Sequence, residues 1–450
     1  MALVALYPTV ATSDVAQFRA IALGNGARPT LETLNGEPTK LDWKVTPLDN
    51  GSIVNVGTAK VEKLTPDTEV TLKAIEGGQE MQRATVRTLP RELPGTGQEM
   101  RVVLLSCYCR LNPSSRQVEG LFNDLFRAYG TPHLKIWCGD QVYLDSPATH
   151  FLKKWDHTPA EIADNHLTHY VRTWSDDHLR KPLARGANVF TPDDHEFWNN
   201  APYPNVVVPG LYSDKRRAKW TDTASKLLSA FQGVPELLQQ PISVPPVSVL
   251  VMDTRSKRTP GDPRREFMSQ ADLARLQNWV KKLAGVGPGL LVLGQPIFQS
   301  PGDKRLVPRV FEDYSLADYE QFGPFLRILD AAPRDIAILS GDVHFTRAAR
   351  MTLPSGRQIV EIINSPLALV VGLKRSNTKD AVGFPEVPGV GGIGAAQVHT
   401  DAAFQSGDDT AAVLSLFRFG SRVRVNVEVW RTADSPGATR PHKKYQFDLF

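Results

Sequence analysis

Six short apolar runs in this chain each end abruptly in residues that bind metals or move protons. Val102–Leu105 leads into Ser106-Cys107-Tyr108-Cys109, and Leu134–Cys138 into Gly139-Asp140-Gln141-Val142-Tyr143. Ala187–Phe190 leads into Asp193-Asp194-His195-Glu196, with Asn199-Asn200 just beyond. Val247–Met252 ends in Asp253-Thr254-Arg255, Leu290–Leu293 in Gly294-Gln295-Pro296, and Ile336–Leu339 in Ser340-Gly341-Asp342-Val343-His344. An aspartate following a glycine at a strand end, such as Asp140, can present both carboxylate oxygens and so serve two cations at once. Tyr143 can return to the same point if a helical turn follows. Its phenolate favours a hard ion such as ferric iron. Cys107 would bind as thiolate, its pKa lowered by the metal. Asp194, Asp342, Gln295 and Asn199 offer the oxygen ligands that calcium accepts, and His344 offers a nitrogen. Two cations sharing a carboxylate form a clamp for in-line attack on phosphorus, and His195 is placed to protonate the leaving alkoxide.

Those tips need elements to hold them. Short continuous apolar runs bounded by turn residues are the pattern of strands covered on both faces. If such strands share one sheet, their carboxyl ends line the edge where open α/β sheets bind ligands. Between them lie helix-length stretches at Gln117–Tyr129, Ala160–Thr173, Arg216–Phe231 and Ser269–Ala284, with Ser269 as an N-cap and Asp272 in its first turn. Ala411–Phe419 and Arg422–Arg431 flank Gly420-Ser421 as a hairpin, and the glycine-rich stretch from Gly383 to Gly394 reads as a loop bordering the site. Residues 1 to about 95 differ. Five strand-like segments (Gln17–Leu23, Lys40–Pro47, Gly57–Lys63, Glu69–Ala74, Met81–Thr88) punctuated by turns predict a small β-sandwich. The Pro/Gly-rich segment Pro90–Gly97 reads as its linker to the rest.

Composition narrows the partners. At 450 residues with a net charge of +4, the chain gives no reason to expect nucleic-acid binding. No apolar run approaches the roughly 18 residues of a membrane span. The basic groups Lys215-Arg216-Arg217 and Arg255-Lys257-Arg258 read as solvated faces, except that Arg255 follows a strand end where it could meet an anionic substrate. Three cysteines make no disulfide framework and suit a reducing compartment or a metal role. The first residues lack a basic leader region, so the expected location is cytoplasmic, or exported if a leader precedes this numbering. Each motif read alone has a plainer explanation. Asp-Asp-His-Glu is equally a helix N-cap with a solvated acidic turn, Cys138 is core, Cys109 is ligand or packing, and His133, His150, His157, His166, His169 and His178 are surface or satisfied histidines.

Taken in order, Ser-Cys, Gly-Asp-x-x-Tyr, Asp-Asp-His-Glu and Gly-Asp-x-His resemble the alkaline phosphatase D family of calcineurin-like metallophosphoesterases. The likeness runs over roughly residues 98–450, and Leu64–Val70 is similar to the fibronectin type III turn into a late strand, with Val70 in place of its tyrosine. The resemblance implies a four-layer α/β/β/α sandwich preceded by a fibronectin- or immunoglobulin-like domain, divided as 1–95 and 98–450. It implies a dinuclear metal centre: a ferric site from Cys107, Asp140, Tyr143 and His344, and a calcium-type site from Asp140, Asp194 and Asp342, with zinc or manganese as alternatives. His195 is the implied acid, and Arg255, Asn199 and Asn200 match family positions for substrate. Two departures stand out. Cys109 replaces a superfamily histidine, and Gln295 fills the slot of the lone histidine as a weaker amide ligand. The expected activity is metal-dependent hydrolysis of phosphate monoesters, diesters or both. A phospholipid, teichoic-acid-like polymer or nucleotide substrate is the second enzyme reading, and a non-catalytic binding protein on the same fold is the alternative from another class.

Overall fold

The computed structural model describes residues 2–26, 28–147, 157–204, 208–261, 263–299, 313–370, 380–381 and 398–450. The predicted Gly383–Gly394 loop and His150 lie outside these residues.

Alternating burial over the first 87 residues builds strands β1 (Ala2–Ala11), β2 (Val15–Leu23), β3 (Thr30–Thr33), β4 (Pro38–Thr39), β5 (Asp42–Pro47), β6 (Ile53–Glu62), β7 (Glu69–Glu76) and β8 (Gln79–Arg87). They form two four-stranded sheets, ordered β1-β2-β6-β5 and β4-β3-β7-β8. The first sheet contributes Leu6, Phe18, Ile21 and Val54 to the core, and the second contributes Leu31, Leu72 and Val86. This is the all-β unit expected from the spacing of turns. Strand β1 was not foreseen, and it pairs antiparallel with β2. The sandwich is packed firmly onto the rest of the chain. Asn188 Nδ2 donates to Pro8 O at 2.8 Å, Gly186 N to Thr85 O at 2.7 Å, and Arg19 Nε to Ala230 O at 2.9 Å.

Strands β9 (Met100–Leu105), β10 (Leu134–Cys138), β11 (Ala187–Thr191), β12 (Ile242–Val244), β13 (Val247–Val251), β14 (Gly289–Val292), β15 (Ile336–Ser340), β16 (Arg347–Thr352), β17 (Gln358–Ile363), β18 (Val398–Thr400), β19 (Thr410–Phe419), β20 (Arg422–Arg431) and β21 (Lys443–Leu449) build the larger part. They alternate with helices α1 (Val118–Tyr129), α2 (Pro159–Trp174), α3 (Asp177–Leu183), α4 (Asp214–Gln232), α5 (Gln270–Val286) and α6 (Phe322–Asp330). All six apolar runs are strands, but they divide between two sheets rather than sharing one. The orders are β11-β10-β9-β19-β20-β21 and β12-β13-β14-β15-β17-β16-β18. Within each, the motif-bearing strands are parallel neighbours, Leu104 and Val189 flanking Ile136 and Ala337 facing Leu290.

Side-chain alternation on the second sheet explains the layering. Val249, Val251, Val292 and Leu339 point into the core shared with the first sheet. Leu250, Met252, Leu291 and Ile338 point the other way, onto Leu276, Trp279 and Leu283 of α5 and Phe325 and Leu329 of α6. A strand buried on both faces has no polar positions to spare, which is why these runs read as continuous. The architecture is the α/β sandwich with an N-terminal all-β domain that the sequence predicts. No helix among the described residues is long and apolar enough to cross a membrane.

Local signals account for the helix ends. Ser269 Oγ accepts from Asp272 N at 3.1 Å, as read from sequence. Thr158 and Glu161 form a capping box that starts α2. Helix α6 was not foreseen, and it carries Pro324 near its start. In the first helical turn a proline removes no hydrogen bond, so the helix tolerates it.

Candidate metal centre

The two parallel strand sets bring their carboxyl-terminal loops against one another, and the glycines in those loops show how tightly. A Cβ on Gly341 would lie 2.1 Å from Ser106 Oγ and 2.6 Å from Cys138 O; one on Gly139 would lie 2.3 Å from Asp193 Cβ. The residues after these glycines leave the strands in the left-handed region, with φ of +61° at Asp140 and +66° at Asp342. Cys107 (+54°), His344 (+61°) and Asn200 (+63°) do the same. Five of the seven non-glycine residues with positive φ among the described residues are therefore predicted site residues. Strain of this kind persists where surrounding structure over-determines it, and it clusters at functional sites.

Three groups of metal-ligating side chains result, each with its ligand atoms within 4.8 Å of one another: Cys107-Asp140-His344, Asp140-Asp194-His195 and Asp140-Asp193-Asp194-Asp342. Asp140 belongs to all three. Its Oδ2 accepts from Cys107 Sγ at 3.3 Å and its Oδ1 from His195 N at 3.2 Å. Ser106 and Ser365 hydroxyls each lie 3.1 Å from the thiol. Tyr143 lies against His195, ring centroids 4.1 Å apart, and its buried hydroxyl has no hydrogen-bond partner. Asp194 accepts from Asn200 N at 2.6 Å through Oδ2, while its buried Oδ1 also lacks a partner. Donor atoms left unsatisfied in a buried acidic cluster are what a cation would occupy.

Electrostatics agree with that fit. Burial, then the Asp194 charge, pushes the Asp140 carboxyl well above the usual range, and burial with Asp193 and Asp194 does the same to Asp342. Burial raises the Cys107 thiol, with Asp140 and Asp342 adding to it, and burial raises the Tyr143 phenol, with Cys107 and Asp140 adding to it. Burial alone would raise Asp194, yet His195 and Arg255 hold it at about 2. Burial brings His344 down to about 4, leaving a neutral imidazole able to ligate. For His195 burial opposes the charge, but Asp145, Asp194 and Asp140 outweigh it and hold the ring protonated. Acids that repel each other in the free chain are relieved by positive charge between them.

The structure gathers Cys107, Asp140, Tyr143, Asp194, His195, Asp342 and His344. Gln295 sits at the edge, its Nε2 donating to Asp342 Oδ2 at 2.9 Å while Arg258 donates to its Oε1. Its amide oxygen is thus turned to an arginine. Asn199 donates its backbone N–H to Asp145 Oδ2 at 2.8 Å. Arg255 stands behind the cluster, wholly buried and bound to Asp193 and Asp313. Cys109 is buried and joins none of the three groups, and Cys138 lies in the strand core.

Sequence reading missed several residues around this cluster. Asp145 Oδ1 accepts from His195 Nδ1 at 2.9 Å, which orients the ring and leaves Nε2 free of that bond. Its signal was its place in the same loop as Asp140. Glu196 gathers the backbone N–H groups of Asp140 (2.9 Å), Gln141 (2.7 Å) and Asp193 (2.9 Å), fixing two loops to each other. Asp-Asp-His-Glu is thus both a single helical turn and part of the cluster, and it is buried rather than solvated. Arg258 belongs to a basic run that reads as solvated face but is 4% exposed.

No protein-family model matches the chain, and no curated protein matches it. Among solved structures it is similar to one described as "Structure of PhoD", with 14% identity over 98% of this chain and 92% of that one and a TM-score of 0.62. At that identity the likeness is one of fold, and it covers the β-sandwich and the α/β/β/α part together. An amylomaltase from Corynebacterium glutamicum has a TM-score of 0.15 over 75% of this chain and 62% of its own, at 9% identity. A β-glucuronidase from Bacteroides uniformis has one of 0.21 over 95% and 61%, at 8% identity. Neither supports a fold argument.

Proposed function

We propose that this chain is a metal-dependent phosphoric-ester hydrolase of the alkaline phosphatase D type, acting on phosphate monoesters, diesters or both through a dinuclear centre. The observation that carries the reading is the membership of Asp140 in all three ligand groups. A carboxylate within reach of a thiol, two imidazoles and three further acids would serve two cations at once. Cys107, Asp140, Tyr143 and His344 suit a ferric ion, and Asp140, Asp194 and Asp342, with Gln295 at the edge, suit calcium, zinc or manganese. Two such ions, held by these residues, would lower the pKa of a bound water and neutralise phosphoryl oxygens. The chain's own residues supply the rest. Asp145 holds His195 Nδ1–H, so Nε2 is the atom that gives a proton to the leaving oxygen. Glu196 holds the Asp140 and Asp193 loops in place, and Asn199 and Asn200 border the substrate. We also take residues 1–95 as the β-sandwich domain and 98–450 as the catalytic one, since β8 ends at Arg87 and β9 begins at Met100.

The test is Asp140→Asn, with hydrolysis of chromogenic mono- and diesters and bound metal measured together. We expect turnover to be abolished and metal content to fall. Full activity with full metal content would refute the bridging role.

A further inference from the structure

A guanidinium carries five N–H donors, and in Arg255 all five are engaged. One edge holds Asp193, Nε to Oδ1 at 3.0 Å and Nη2 to Oδ2 at 2.8 Å. The other holds Asp313, Nη1 to Oδ1 at 3.1 Å and Nη2 to Oδ2 closer still. The last donor, on Nη1, goes to Ala201 O at 2.9 Å. The two carboxylates differ in standing. Asp193 has no exposed side-chain surface, and its backbone is fixed by Glu196. Asp313 keeps 16% of its side chain exposed, and besides accepting from Tyr314 N at 2.8 Å its carboxylate faces three side chains at once. These are Arg255, the Gln295 amide and Arg258, whose Nη1 lies 3.6 Å from Oδ2. The same Gln295 nitrogen reaches Asp342 Oδ2 at 2.9 Å, so the Asp313 carboxylate is one amide away from the candidate metal ligands.

We propose that the outer fork of Arg255, with the Gln295 amide and Arg258, is the seat for the non-bridging oxygens of the phosphoryl group, and that Asp313 sits in it as an intramolecular competitor which the ester displaces. This deepens the hydrolase reading and rests on it. A guanidinium fork and an amide that are satisfied by two carboxylate oxygens are satisfied equally by two phosphoryl oxygens. Leaving such a buried fork empty between turnovers would be costly, because Asp193 would still pair the charge but the outer N–H donors would stay buried and unsatisfied. Asp313 removes that cost, and by returning to the seat it helps expel product phosphate. It thereby sets how tightly the site holds anions.

The experiment measures inorganic phosphate binding by isothermal titration calorimetry for the wild-type chain and for Asp313→Asn, Asp313→Ser and Asp313→Glu. Measurements are made with metals loaded and again after chelation. Removing a charged competitor should tighten phosphate binding about tenfold or more in the Asn and Ser variants. Product inhibition of the loaded enzyme should tighten in proportion, while Asp313→Glu, which keeps a carboxylate, should show no such gain. Unchanged or weaker binding in whichever of the Asn and Ser variants folds overturns the proposal, as does equal tightening in Asp313→Glu. Wild-type turnover of a chromogenic diester is measured alongside. Its absence would overturn the assigned reaction, while phosphate tightening would still decide the seat.

Discussion

Replacing Asp145 with asparagine tests the proton-donor role through a residue that belongs to none of the ligand groups. The carboxylate makes two bonds, Oδ1 to His195 Nδ1 at 2.9 Å and Oδ2 to Asn199 N at 2.8 Å. An amide has one oxygen for these two donors, so its NH2 group must face either the ring N–H or the Asn199 N–H. The side chains of His195 and Asp145 are 12% and 6% exposed, which leaves little solvent to repair the loss. A hydrogen bond to a charged group contributes about 1.5–3 kcal/mol, and about 1.4 kcal/mol is a factor of ten. The expected fall in turnover is therefore roughly ten- to hundredfold, less than the roughly 10²–10⁴ of removing the general acid itself in His195→Ala. Metal content by elemental analysis should be unchanged. The fall should shrink for esters whose leaving groups need no proton. In a double-mutant cycle Asp145→Asn should add nothing on the His195→Ala background, because a residue acting through the ring has no ring to orient. A full additional loss in the double variant, or equal losses across leaving groups, would show that Asp145 acts elsewhere.

Two other perturbations follow from packing and burial. Gly341→Ala places a methyl 2.1 Å from Ser106 Oγ, which itself accepts from Asp342 N at 3.0 Å. Overpacking should cost about 2 kcal/mol, and urea titration should show a lower midpoint together with reduced metal content; an unchanged midpoint would mean the loops separate more easily than their contacts imply. His166 is buried against Trp220, ring centroids 4.8 Å apart, with neither ring nitrogen hydrogen-bonded. It is thus neither a surface nor a satisfied histidine, and burial brings its pKa down to about 3, well below that of a free imidazole. As pH falls the unfolded chain takes up this proton first, so stability is complete above about pH 6.5 and is lost from there down towards pH 3. At pH 5 the loss is about 2 kcal/mol, and unfolding curves for His166→Leu should lack that component. Parallel pH dependence in the two proteins would contradict a neutral buried ring.

The strands that deliver the site were legible because burial on both faces leaves a continuous apolar run. The spacing of turns likewise exposed the N-terminal sandwich. What periodicity could not separate was one sheet from two. Val251 and Leu250 are equally apolar, yet one faces the other sheet and the other faces α5. Short elements were lost for a related reason. Strand β18 has three residues of mixed burial, and α3 carries Pro182 within its seven residues. Neither length sustains a period.

Site residues were legible where their own chemistry is unusual at a strand end and illegible where their role is set by a partner. Asp140 and Asp342 follow glycines that a neighbouring loop forbids from carrying a Cβ, so Gly-Asp records a close approach as well as a ligand. Asp313 has no such mark, since nothing in its neighbourhood of sequence indicates that Arg255, 58 positions earlier, will meet it. The basic run around Arg255 misled for the same reason. Its arginines are buried because acids from other loops neutralise them, and that pairing exists only in three dimensions. The same logic explains why the acids themselves gather at all. Asp140 and Asp342 are raised by burial and by each other's neighbours, so the free cluster opposes its own folding. A chain that nonetheless bends five non-glycine residues through positive φ to assemble it bears that cost for a counter-charge, and a bound cation is a counter-charge that its donor atoms could hold.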